Sequence, residues 1–250
     1  MDRKNNNLHS IQILRDLAAL SVVYFHMTLV EKSSPFPKFG SYGVDIFFVI
    51  SGFIISLIVS NGVKPVEFAI NRIARIAPLY WILTTILLLL SAARPELLNS
   101  TSFNLINYTK SLFFIPYFKE NGQLNPVLAV GWTLNYEMFF YLCIFISLCL
   151  KFSFYLFITI LIFVSLFFIS KIADNITFST FFSEKLIFEF IFGMLSFELY
   201  KIIKNKNIPI FVLLAFCLTS FIFMSIVESH GIKNRLFFLE YHQFLYSSLF

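Results

Sequence analysis

Charge is scarce in this chain. Only 13% of its 250 residues are Asp, Glu, Lys or Arg, while 58% are hydrophobic and the mean hydropathy is +0.80. A water-soluble globule of this length needs far more polar residues to cover its surface. A soluble domain is therefore excluded, and lipid is the solvent that suits the sequence. Cysteine is rare too. Cys143, Cys149 and Cys217 all lie in apolar runs, without metal-ligand or redox spacing. They read as small buried hydrophobes. Internal repeats and low-complexity tracts are missing. So is a single basic patch of the kind nucleic acid requires, because Lys and Arg are scattered between apolar segments. The net charge of +5 reads instead as topology, with positive residues retained on the cytoplasmic side.

What abounds is apolar and aromatic. Aromatics reach 19%, and Phe alone accounts for 35 residues. A spanning helix needs about 20 mainly apolar residues. Segments of that kind fall near 11–30, 43–61, 76–93, 132–150, 153–170, 185–203 and 208–227, with an incomplete one at 237–250. The expected fold is all-α: a polytopic transmembrane helical bundle of about eight segments, forming a single domain over residues 1–250. Arg15, Asp16 and His26 interrupt the first apolar stretch, so it reads as a retained helix and not as a cleaved leader. An amphipathic piece around Leu105–Pro116 is expected to lie on the membrane surface. The density of Lys and Arg favours an N-terminus inside and a multi-pass protein of the inner (plasma) membrane. Sequons at Asn99, Asn107 and Asn175 carry no argument in so Asn-rich a chain.

Ionisable side chains inside membrane segments are expensive and each needs a reason. Arg15 and His26 are eleven residues apart. At about 100° and 1.5 Å per residue they share a helical face, roughly 16 Å apart. Asp45 opens the second segment at the depth expected of His26, where a carboxylate beside an imidazole fixes its tautomer and raises its basicity. Glu137 lies one to two turns beyond Trp132 in the fourth segment, at that same outer level. Arg72 and Arg75 stand just before the third segment, on one face and near Arg15 in depth. Guanidinium forks suit phosphates. Phosphates on one side and a base near the other imply a long ligand between them, and a coenzyme A thioester has that shape.

Each feature has a blander counterpart. His26 and Glu137 are read equally as helix–helix hydrogen-bonding groups, Asp45 as an N-terminal cap, and Arg72 and Arg75 as anchors snorkelling to headgroups. Gly52 and Gly193 read as close-packing positions. Glu189 and Glu198 are intramembrane acids whose partners the sequence does not name.

Four ordered blocks resemble the acyltransferase 3 family of membrane acyltransferases that modify cell-surface sugars. They are LRDLAALSVVYFHM with Arg15, Ala18, Val22 and His26; Phe39–Ile55 with Asp45; Asn71–Trp81 with Arg72 and Arg75; and Gly131–Leu142 with Glu137. Beyond residue 142 the likeness is general hydrophobicity plus Phe192–Leu199. The resemblance implies transfer of an acyl group, usually acetyl, from acyl-CoA to a hydroxyl of a surface polysaccharide or its lipid-linked precursor. His26 would be the base, supported by Asp45; Arg15, Arg72 and Arg75 would hold the donor; Glu137 would orient the acceptor or active centre. No metal and no tightly bound cofactor is expected, and acyl-CoA enters as a substrate. The family has about ten spanning helices, so the chain is expected to be short at its C-terminal end. A transporter or flippase of a sugar-linked or anionic substrate, and an inactive truncated remnant, are the competing expectations.

Overall fold

A computed structural model describes residues 13, 15–24, 42–97, 103–184 and 186–205. Among these there is helix and no strand. His26, Cys217 and the expected segments at 208–227 and 237–250 lie outside the described residues. The chain divides into two compact units, Met1–Glu198 and Leu199–Phe250. Of the second, residues 199–205 are described, and they are helical.

The helices of the first unit are α1 (15–24), α2 (Tyr42–Ser60), α3 (Pro65–Ala93), α4 (Leu105–Leu112), α5 (Trp132–Lys151), α6 (Tyr155–Ile172) and α7 (Ile176–Phe182). The last, α8 (Leu186–Asn205), continues into the second unit. Among the described residues four stretches are long and apolar enough to cross a membrane: Gly43–Ser60, Pro65–Ala93, Ala129–Leu150 and Tyr155–Ile172. They match the segments expected near 43–61, 76–93, 132–150 and 153–170, with one difference. The third begins at Pro65, because Lys64 is extended and Pro65 occupies the first helical position, where a missing N–H costs nothing. Arg72 and Arg75 therefore lie inside the helix and not before it. Helix α8 coincides with the segment expected at 185–203, but Glu189, Glu198 and Lys201 set its composition apart from the four.

A turn at Asn61-Gly62, with Gly62 at φ +81°, reverses the chain between α2 and α3. At one end of the α3–α5 contact Gly131 abuts the Tyr80 ring; at the other, Phe68 meets Tyr141 edge-on at 6.0 Å. Helices α3 and α5 are therefore antiparallel, and α2 and α5 run the same way. The 29 residues of α3 give it an axis of about 43 Å, longer than the roughly 30 Å of a hydrocarbon layer. Its far half is covered by the segment 105–131. There the Trp81 indole donates to the Leu112 carbonyl (2.8 Å), Thr85 and Tyr108 share a hydroxyl bond (2.9 Å), and Tyr80 stacks on Phe114. The amphipathic piece of the sequence is thus a short helix packed on α3. Asn104 caps it by accepting from the amides of Ile106 and Asn107. Asn175 caps α7 in the same way, so the third sequon serves the local fold.

Phenylalanine builds the core. Phe190 of α8 stacks on Phe140 of α5 at 4.2 Å and lies 4.6 Å from Phe48 of α2, while Phe163 of α6 completes the cluster. Tyr136 stacks on Phe181 at 4.1 Å. Such pairs prefer offset or edge-on geometry and stabilise beyond the area they bury. Helices α2 and α8 come close because of two glycines. A Cβ on Gly193 would strike the Val49 carbonyl, and one on Gly52 would strike that of Phe190. Close backbone approach through small residues replaces the hydrophobic drive that lipid removes. Ser147 and Thr159 link α5 to α6 by a buried hydroxyl bond of 2.9 Å.

Candidate functional site

The interior polar groups gather at the α3–α5 contact. Glu137, 2% exposed, accepts a hydrogen bond of 2.5 Å from the Tyr141 hydroxyl one turn further along α5. It lies within electrostatic reach of Arg75 and Arg72 across the helix interface. Arg72 is partly buried, with its guanidinium 5.9 Å from the centre of the Tyr141 ring and 6.0 Å from that of Phe68. Arg75 is exposed one turn away. Pro78, a further turn on, cannot donate to the carbonyl of Ala74, which loosens the helix beside the arginines.

Helices α1 and α2 add Arg15. Its guanidinium stands 5.2 Å from the centre of the Phe47 ring. Gly43 meanwhile lies so close to α1 that an added Cβ would strike Ser21 and the Ala18 carbonyl. The two helices are therefore antiparallel, with residue 15 opposite 47 and residues 18–21 opposite 43. Phe47 neighbours Phe48, and Phe48 meets Tyr136 edge-on at 6.4 Å. Along the bundle axis Arg15 thus falls near the level of Tyr136 and Glu137. Asp45 stands in the first turn of α2, three residues before Phe48, so it lies roughly one turn, about 6 Å, to the Trp132 side of Glu137.

The grouping differs from the expectation in one respect. Glu137 was expected beside Asp45 and His26, with the arginines at the opposite border. Glu137 instead joins Arg72 and Arg75, because α3 starts at Pro65 and carries both arginines two to three turns inward. Arg15 shares their level, as expected. His26 and its pairing with Asp45 lie outside the described residues. Tyr141, Phe68 and Phe47 were not singled out from the sequence; for Tyr141 the signal was present, a hydroxyl four residues after an intramembrane acid. Among the described residues no three His, Cys, Asp or Glu side chains gather as a metal site would need.

A second polar cluster lies outside the spans, in the segment between α4 and α5. Ser111 bonds the Tyr117 hydroxyl and accepts from the Val127 amide, each at 2.9 Å. Lys119 is buried and donates to the Val127 carbonyl at 3.3 Å; burial pulls its ammonium down to about 8. Burial pushes the Tyr117 phenol up.

The family model described as an acyltransferase domain matches residues 8–250. The exopolysaccharide production protein ExoZ of Rhizobium meliloti is 33% identical over 186 residues, covering 73% of this chain and 57% of its own length. The peptidoglycan O-acetyltransferase OatA of Listeria monocytogenes is 30% identical over 147 residues, covering 53% of this chain and 23% of its own length. The chain thus spans little more than half of the first relative and about a quarter of the second. No solved structure matches it. The four motif blocks, the apolar helices that carry them and the match along nearly the whole sequence agree: the chain belongs to the acyltransferase-3 family.

Proposed function

We propose that this chain transfers an acyl group, in the simplest case acetyl, from cytoplasmic acyl-CoA to a hydroxyl of a cell-surface polysaccharide or of its lipid-linked precursor. The observation that carries the reading is a buried Glu137, bonded to Tyr141, within electrostatic reach of Arg72 and Arg75 across the α3–α5 contact. One carboxylate there faces two guanidinium groups, and Arg15 stands near the same level. A layer with surplus positive charge at the margin of the bundle, partly buried at Arg15 and Arg72, favours a polyanion. Coenzyme A brings phosphates at its nucleotide end and a thioester at the tip of a thin arm. The names of the relatives point the same way, one to O-acetyl transfer and the other to exopolysaccharide production.

In this reading Arg15, Arg72 and Arg75 bind the donor. Glu137 orients the acceptor or the active centre. His26, oriented by Asp45, removes the proton of the acceptor hydroxyl. The oxygen then attacks the thioester carbonyl, the C–S bond breaks, and coenzyme A leaves as its thiol after taking up a proton. The enzyme is an O-acyltransferase of the inner membrane with its N-terminus in the cytoplasm.

The test is mass analysis of surface glycans from cells carrying the gene, lacking it, or carrying His26→Ala. An acyl mass increment is expected only with the unaltered gene, with His26→Ala protein inserted in the membrane at normal yield. Equal acylation in the variant refutes the assigned base.

A further inference from the structure

Arg72 and Glu137 pose a question that the donor reading leaves open. A buried carboxylate beside a partly buried guanidinium group ordinarily closes into a direct pair. Here no direct ion pair forms between Glu137 and either Arg72 or Arg75, although the charges act on one another. The Nε of Arg72 is buried and makes no hydrogen bond. Glu137 spends Oε1 on the Tyr141 hydroxyl instead.

We infer that Tyr141 is a positioning residue: it tethers the Glu137 carboxylate off Arg72 and Arg75 and so keeps their N–H groups available to the phosphates of an anionic acyl donor. The inference rests on the donor reading above. Two features of Tyr141 serve it. Its hydroxyl sits four residues from Glu137 on one helix, so the tether is fixed by α5 alone and does not depend on α3. Its ring lies against the Arg72 guanidinium, with Phe68 near by and edge-on to it at 6.0 Å. Aromatic faces hold a cation without using its N–H donors. The guanidinium is thus placed by rings, and its fork is spared for phosphate. The net worth of the tether is the difference between an arginine pair already closed on Glu137 and one open to ligand. It acts on donor binding, in ground and transition state alike, and so on KM more than on kcat.

Full-length protein in proteoliposomes provides the test, with acetyl-CoA as the probe for both equilibrium binding and acyl transfer. Tyr141→Phe keeps the ring and its packing and removes only the hydroxyl. The freed carboxylate then closes on the arginines. Kd and KM for acetyl-CoA are expected to rise about tenfold, with kcat within about twofold. The same substitution made in a Glu137→Gln background is expected to change Kd less than about twofold, because a neutral amide does not compete for the guanidinium groups. A merely structural tyrosine would weaken both backgrounds equally and depress kcat. An unchanged Kd in Tyr141→Phe, or an equal rise in both backgrounds, overturns the inference. Wild-type protein that binds no acetyl-CoA removes the donor reading and this inference with it. Wild-type protein that binds, beside a Tyr141→Phe that binds equally well, removes the inference alone.

Discussion

Tyr141 donates its hydroxyl to Glu137 and has the Arg72 guanidinium 5.9 Å from its ring centre, so a single side chain neighbours one negative and one positive group of the α3–α5 interface. That relationship ties the negative and positive parts of the polar layer together. It also makes the layer sensitive to any change in the charge of Glu137.

Removing that charge separates two effects. Glu137→Ala leaves two guanidinium groups without their nearby carboxylate and opens a hole beside Tyr141. Losing the Tyr141 bond and leaving a hole in the interior costs on the order of 2–4 kcal/mol. The expected outcome is a lower midpoint of thermal unfolding in detergent and a smaller folded yield. Glu137→Gln, which keeps the volume and can accept the Tyr141 hydroxyl, is expected to lose less than half as much. Equal midpoints for the two variants contradict the packing and hydrogen-bond part of this account.

Packing between α2 and α8 makes a second prediction, far from the charges. Gly193→Ala places a methyl group on the Val49 carbonyl, and no flexible side chain can yield there. Overpacking of this kind costs about 1–3 kcal/mol. Gly52→Ala is expected to behave likewise. Gly62→Ala meets no atom but must adopt φ +81°, so its cost is backbone strain alone, on the order of 1 kcal/mol. Thermal midpoints of the three variants rank them. A Gly193→Ala protein as stable as the wild type contradicts the close approach.

Lys119 makes stability depend on pH. Its ammonium titrates near 8 in the folded protein, below the ordinary lysine value near 10.5. Between those values the unfolded chain binds more protons than the folded one, so stability rises with pH across about 8 to 10.5 and the burial penalty is fully felt below 8. Lys119→Met is expected to flatten the rise of the unfolding midpoint between pH 7.5 and 10 while raising the midpoint at pH 7.5. A rise of the same size in the variant assigns the pH dependence to another group.

Much of this was legible in the sequence, and the gaps have physical causes. The spans near 43–61, 132–150 and 153–170 stand out because apolar residues dominate them, despite Asp45 in the first and Asn135 and Glu137 in the second. The start of α3 was placed eleven residues late, at 76 and not 65, because Glu67, Arg72 and Arg75 read as the edge of the membrane. Pro65 after Lys64 was the stronger signal, since proline favours a first helical position. That misplacement is why Glu137 was separated from the arginines: depth was counted from the wrong end point. The packing of 105–131 on α3 was hidden too. It turns on Phe114, an aromatic residue at φ +57° held by its stack on Tyr80 and by the amide bond of Ile115 to the Lys110 carbonyl. Nothing local in the sequence demands that conformation of a phenylalanine.

The claim on which the function depends is that the arginines of α3 hold an anionic acyl donor. Equilibrium binding of labelled acetyl-CoA to purified wild-type protein, to Arg72→Ala and to Arg75→Ala measures it directly. Saturable binding to the wild type, weakened at least about tenfold in each variant and only partly restored by Arg72→Lys, is the predicted result, because lysine supplies the charge without the planar fork. Binding of equal strength to all four proteins would contradict it.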